Sequence, residues 1–127
     1  MSKSEALIQS LVRIEAPSKG MHLFRNNVGQ LMDKDGRPVR FGLANDGKQL
    51  NRVLKSSDLI GWTRHTITQA DVGRTVAIFT SIECKPEGWT PPKSGVEFER
   101  YSAQLAWLEL VASCGGVAKL LTDASQL

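Results

Sequence analysis

Residues 75–85, TVAIFTSIECK, form the densest β-branched and apolar run in the chain, and a run of this composition folds as a strand. Pro86, Gly88, Pro91, Pro92 and Gly95 follow at once and bar any continuation of a sheet. Strand side chains alternate between faces, so Glu83 and Lys85 share one face while Ile82 and Cys84 share the other. The apolar pair is expected to serve the core. That leaves an acid and an amine together at the strand's end, where sheets commonly open into a ligand crevice. An E-x-K triplet is also the pattern of a solvated, ion-paired strand end, so it needs company before it carries chemistry.

The rest of the chain supplies a frame for that strand. Ser2-Lys3-Ser4-Glu5 has the form of a capping box, and Leu7, Ile8, Leu11 and Ile14 recur with helical period until Pro17, which predicts a helix over about 3–15. Residues 21–27 alternate as a strand, and Asp35-Gly36 between VGQLMDK and RPVRFGL signals a hairpin. Residues 44–57 are polar and basic, a long loop with at most one helical turn near Leu50–Leu54, and 58–62 read as a short buried strand. Thr68-Gln69-Ala70-Asp71 repeats the capping pattern for a single turn. From Glu97 to Cys114, the residues Phe98, Tyr101, Leu105, Leu108 and Ala112 mark one stripe of a second long helix, which Gly115-Gly116 ends before a last strand at 117–121. The order predicts an α/β or α+β fold with helices packed on one mixed sheet, and 127 residues suit a single domain.

Sixteen Lys and Arg against thirteen Asp and Glu give a net charge of +3, which permits a polyanionic partner without demanding one. No window approaches the roughly 20 apolar residues of a membrane span, and MSKSEALIQS lacks the apolar core of a signal peptide, so a cytoplasmic protein is expected. Cys84 and Cys114 have no zinc-like spacing and are expected to be reduced, buried small residues. His22 and His65 have no partnering pattern.

Asp58, in SSDLIG, heads the short strand after the basic loop and could lie beside Glu83 if the two strands are neighbours. Two carboxylates at close range repel unless a hard cation such as Mg²⁺ joins them through oxygen, and the backbone carbonyl of Cys84 is a further oxygen donor. Capping of the turn after Ser56-Ser57 is the competing explanation for Asp58.

Taken in order, FRNNVG, DGRPVRFGL, SSDLIGW, GRTVAIFTSIECK and SAQLAWLELVASCGGVAKLL resemble the VRR-NUC family of the PD-(D/E)XK nuclease superfamily, especially its small stand-alone phage and prophage members. The resemblance covers nearly the whole chain and implies an αβββαβ core, a central mixed sheet flanked by helices, with the hairpin added, as one nuclease domain over 1–127. It implies Mg²⁺- or Mn²⁺-dependent hydrolysis of DNA phosphodiesters, with branched DNA of the Holliday-junction kind as substrate and a homodimer supplying two cuts. By motif, Asp58 is the metal-binding Asp, Glu83 and Lys85 are the E-x-K pair, Gln104 opens the Q-x-x-x-L element, and Glu5 is the helix acid that often joins the metal. A partly buried Gln tied to backbone and the capping box with Ser2 remain the plain readings of Gln104 and Glu5. The long Pro-rich stretch PEGWTPPKSGVEFERYS and the basic insertion at 45–55 depart from the family pattern.

If DNA is the partner, Arg25, Lys48, Arg52 and Lys55 are candidates for phosphate contacts, Asn27 for a hydrogen bond at a strand end, and Trp89 for stacking on a base. A nick- or linear-duplex-directed nuclease working with a helicase or packaging machine, and a non-catalytic DNA-binding module, are the two rival functions.

Overall fold

The computed structural model describes residues 2–127, which divide into two compact units, one ending at His65 and the other beginning at Thr66. In the first unit, helix α1 (Glu5–Glu15) is capped by Ser4, whose hydroxyl accepts from the Leu7 amide at 3.2 Å. The expected box between Ser2 and Glu5 does not form. Glu5 is the first helical residue, where its charge favours the positive end of the helix, and it accepts instead from Gln9 Nε2 at 3.4 Å. A 3₁₀ turn over Ala16–Lys19 and the left-handed Gly20 then redirect the chain into β1 (Met21–Arg25).

Strand β1 pairs antiparallel with β4 (Leu59–Thr63), in a register that sets His22 against Trp62 and Arg25 against Leu59. The two rings stack, with centroids 5.2 Å apart. Gly61 permits the close pairing, because a Cβ there would lie 1.7 Å from the His22 carbonyl oxygen. Between these strands the expected hairpin forms as β2 (Gly29–Met32) and β3 (Pro38–Phe41). Its turn is closed by Asp33 Oδ1, which accepts from the amides of Asp35 and Arg37, both at 2.8 Å. The basic loop holds a longer helical piece than expected, α2 (Lys48–Val53).

Buried Asn45 ties this unit together. Its Nδ2 donates to the carbonyls of Gly29 and Phe41, both at 2.8 Å, and its Oδ1 accepts from Arg40.

In the second unit, a 3₁₀ turn over Gln69–Asp71 carries the expected reciprocal cap between Thr68 and Asp71. Strand β5 spans only Thr80–Cys84, not 75–85. Its parallel partner β6 (Val117–Leu121) begins opposite Thr80, so residues 75–78 have no ladder there to join, and Val76 and Ile78 stay exposed despite their β-branched side chains. The crossover between these strands is α3 (Gly95–Ser113), which buries Leu108 and Val111. Parallel neighbours need such a connection.

Two further expectations are corrected. The strands form three two-stranded sheets among the described residues, β1 with β4, β2 with β3 and β5 with β6, in place of one central mixed sheet; the mixed α/β class itself holds. The face of β5 turned to α3 is also the opposite of the one expected. Trp107 and Gln104 reach from the helix to Ser81 and to the acid–amine pair, so Lys85 is the covered residue, its side chain 16% exposed, while Cys84 lies exposed. The alternation of a strand defines two faces, but the polar groups on α3 decide which one the helix takes. Cys114, too, is only half-buried. No helix among the described residues is long and apolar enough to cross a membrane.

Candidate functional site

The site is built where β5 gives out. The Lys85 amide donates to the Leu121 carbonyl at 2.8 Å, carrying the parallel ladder one residue past Cys84 before Pro86 ends it. Because the β6 ladder uses Phe79 and Lys85, both odd positions, the carbonyl of Cys84 points away from β6. The chain then turns back on itself, with the Trp89 amide donating to the Pro86 carbonyl at 3.1 Å and Gly88 in the left-handed conformation. This places the indole of Trp89 over Lys85, whose Nζ lies 5.3 Å from the ring centroid.

Three side chains join in series here. Lys85 Nζ donates to Gln104 Oε1 at 2.8 Å, Gln104 Nε2 donates to Glu83 Oε1 at 3.1 Å, and Lys85 Nζ lies 3.4 Å from the same carboxylate oxygen. Side chain to side chain bonds are the least common kind in proteins, so three functional groups bonded to one another mark a place where the fold holds chemistry in position. The amide of Gln104 accepts from the amine and donates to the acid, which fixes its orientation. Both contacts to Glu83 fall on Oε1, and Oε2 takes no hydrogen bond among the described residues.

Glu83 Oε2 and the Cys84 carbonyl are therefore hard oxygen donors of the kind a divalent cation such as Mg²⁺ takes. That ion is commonly held by only one or two carboxylates and keeps several waters. No group of three or more His, Cys, Asp or Glu side chains placed to hold a metal occurs among the described residues.

The constellation faces a cavity of about 300 Å³. Its walls are the end of β5, the Pro-rich loop with Trp89 and Pro92, and Glu97, Arg100, Tyr101 and Gln104 of α3. Tyr101 meets Trp89 edge-on, with ring centroids 5.4 Å apart. Glu97, Arg100 and Tyr101 were not singled out for this site from the sequence. Their spacing of three, four and seven residues to Gln104 along one helix face is the signal that could have found them.

Glu83, Cys84, Lys85, Gln104 and Trp89 thus come together in the second unit. The other candidates belong to the first. Asp58 is exposed just ahead of β4; its backbone carbonyl accepts from the Asn26 amide at 2.9 Å. Its carboxylate takes no hydrogen bond among the described residues, so the capping explanation finds no bond to rest on. The turn at 56–58 is held by Asn26 instead, which donates to Ser56 Oγ at 2.7 Å and to the Ser57 carbonyl at 2.9 Å. Arg25 and Asn27 flank that residue and are exposed, as are Glu5, Lys48 and Arg52. Lys55 donates to Asn51 Oδ1 at 2.7 Å.

No protein-family model, curated protein or solved structure matches the chain.

Proposed function

We propose that the chain is a divalent-metal-dependent endonuclease that hydrolyses DNA phosphodiesters, of the VRR-NUC type with a PD-(D/E)XK core. The observation that carries the reading is the bonded series Glu83, Gln104, Lys85 at the mouth of a cavity. An acid with one free oxygen, an amine and an oriented amide are the groups that phosphodiester hydrolysis calls for.

Glu83 and the Cys84 carbonyl would hold Mg²⁺ or Mn²⁺; the family resemblance adds Asp58 and Glu5 as the further acids. When bound, such an ion supplies an acidified water and polarises the phosphoryl oxygen. Lys85 sets its positive charge beside the place where negative charge accumulates on the phosphoryl group, and the low exposure of its side chain keeps that charge effective. Gln104 holds Lys85 and Glu83 at a fixed separation and so limits the directions in which the amine can donate. The basic residues Arg25, Lys48, Arg52 and Lys55, with Asn27, serve the DNA backbone in this reading. Branched DNA as substrate and a homodimer as the working form follow from the family resemblance, as does a phage or prophage origin.

The test is cleavage of four-way, flap, nicked and linear duplex DNA with Mg²⁺ or Mn²⁺, running Asp58→Asn and Lys85→Ala beside the wild type. Wild-type cutting that is lost in both variants, with their circular dichroism unchanged, is the expected result. Preferred cutting of nicked or linear DNA moves the reading to the duplex-directed nuclease. DNA binding with no cutting by either metal replaces it with a binding module, and strong residual cutting by Lys85→Ala places the chemistry elsewhere.

A further inference from the structure

The cavity beside the acid–amine pair has a composition that a bare phosphate site would not have. Glu83 and Glu97 face it together with Lys85 and Arg100, so the charges on its wall balance. A purely anionic ligand is better served by net positive charge. The rest of the lining adds Cys84, Gln104 and two aromatic rings, Trp89 and Tyr101, with Pro86 and Pro92 stiffening the loop that carries the indole. Trp89 is already fixed in place, by the Lys85 ammonium over its ring and a T-shaped contact with Tyr101, so presenting its remaining surface requires little further ordering. The side chains of Glu97 and Arg100 make no hydrogen bond or ion pair among the described residues, although they stand one helical turn apart. They remain available as an acceptor and a donor at the rim.

We infer that this cavity takes a single unpaired nucleotide, its base seated against Trp89 and Tyr101, with the carboxylate of Glu97 and the guanidinium of Arg100 meeting its polar edge and phosphate. A cavity of about 300 Å³ is at the small end of ordinary ligand pockets and suits one base better than a stacked pair. The inference deepens the nuclease reading and rests on it for the choice of DNA. It makes Trp89 a determinant of substrate structure: DNA with an unpaired nucleotide beside the cut is favoured over a continuous duplex, because only an unstacked base can enter.

The experiment measures binding with no divalent ion present, by fluorescence anisotropy of a labelled 12-nucleotide single strand and of the blunt duplex of the same sequence. Wild type, Trp89→Ala, Trp89→Phe and Arg100→Gln are compared. The wild type is expected to prefer the single strand, and Trp89→Ala to lose about tenfold of that affinity, in line with one lost stacking contact. Trp89→Phe, which keeps a stacking face, retains most of it. Duplex binding changes little in either variant.

Equal affinity for single strand and duplex, or Trp89→Ala binding the single strand as tightly as wild type, overturns the inference. Should Trp89→Ala unfold, the Phe and Gln variants still decide: loss with Arg100→Gln and retention with Trp89→Phe support the pocket, and no loss with Arg100→Gln removes its polar half. Failure here differs from failure of the nuclease reading. Metal-dependent cutting with no single-strand preference sinks the pocket alone, and Trp89-dependent binding without cutting sinks the nuclease alone.

Discussion

The polar clusters of the two units differ in what they hold. In the first, Asn45 and Asn26 each bond two backbone groups, Gly29 and Phe41 for one and Ser57 and Leu43 for the other, beside their side-chain bonds to Arg40 and Ser56. In the second, Glu83, Gln104 and Lys85 bond to one another and face a cavity. A side chain committed to backbone holds a fold together, whereas side chains committed to each other at a cavity wall are poised to act on something else. Charge divides along the same line. The residues up to His65 hold eleven Lys and Arg against six Asp and Glu, a net charge of +5, and those from Thr66 hold five against seven, a net charge of −2. The basic balance of the whole chain is thus the property of one half, and the acid–amine pair belongs to the other.

The sharpest way to break this contrast is Glu83→Gln. It keeps the shape of the bonded series and removes the charge, so cutting should fall by at least about 100-fold, measured as kcat/KM on the best DNA substrate. Its denaturation midpoint should barely move, because Glu83 is about one-third exposed and its ion pair is worth little to stability. A large loss of stability with cutting retained would put Glu83 in the same class as Asn45.

Next in size is Gly61→Ala. Its Cβ would meet the His22 carbonyl, a backbone group that cannot step aside, and the β1–β4 pair should lose about 3 kcal/mol in a urea titration. The counterpart in the second unit, Gly116→Ala, meets Val111 Cγ1 and the Phe79 carbonyl less closely, at 2.7 and 2.8 Å, and should cost less. The reverse order would mean that β1 and β4 part more readily than their register implies.

Asn45→Ala follows at about 2 kcal/mol. It strands two carbonyls and removes one acceptor from the Arg40 guanidinium, which keeps its bonds to Gln30 and to the backbone carbonyl of residue 45, and it should leave single-strand binding per folded molecule unchanged.

The smallest effect concerns pH. Hydrogen bonds from Ser125, by its side chain and its amide, hold the Asp123 carboxyl below its ordinary range. A depressed carboxyl pKa stabilises the C-terminal turn above the ordinary Asp value, and that contribution is lost as pH falls through the lowered one. The protection factor of the Ser125 amide, its intrinsic exchange rate over the observed one at the same pH, should therefore fall only in acid, below about pH 4, and Asp123→Asn should abolish that fall.

Much of this molecule was legible in one dimension because local chemistry decided it. The Asp35-Gly36 hairpin, the Thr68 cap and the long helix ended by Gly115-Gly116 all rest on interactions within a few residues. The E-x-K pair was legible as a site candidate for a similar reason, since spacing alone puts Glu83 and Lys85 on one face; Gln104 was named only through the family resemblance. Errors arose where a distant partner chose. Residues 75–78 have strand composition, but β6 begins opposite Thr80 and offers them no partner, and Cys84 was assigned to the core because alternation does not say which face a helix will cover. Trp89 over Lys85 depends on a turn at Pro86 and Gly88 whose direction composition does not fix.

The Lys85 amide is anchored by the carbonyl of Leu121, thirty-six residues later and on the last strand. During synthesis, Glu83, Lys85 and Gln104 all leave the ribosome before that anchor exists. A nascent chain halted ahead of residue 117 carries every one of those three groups yet lacks the strand that β5 lies against, so whatever they do together is withheld until translation has passed them by.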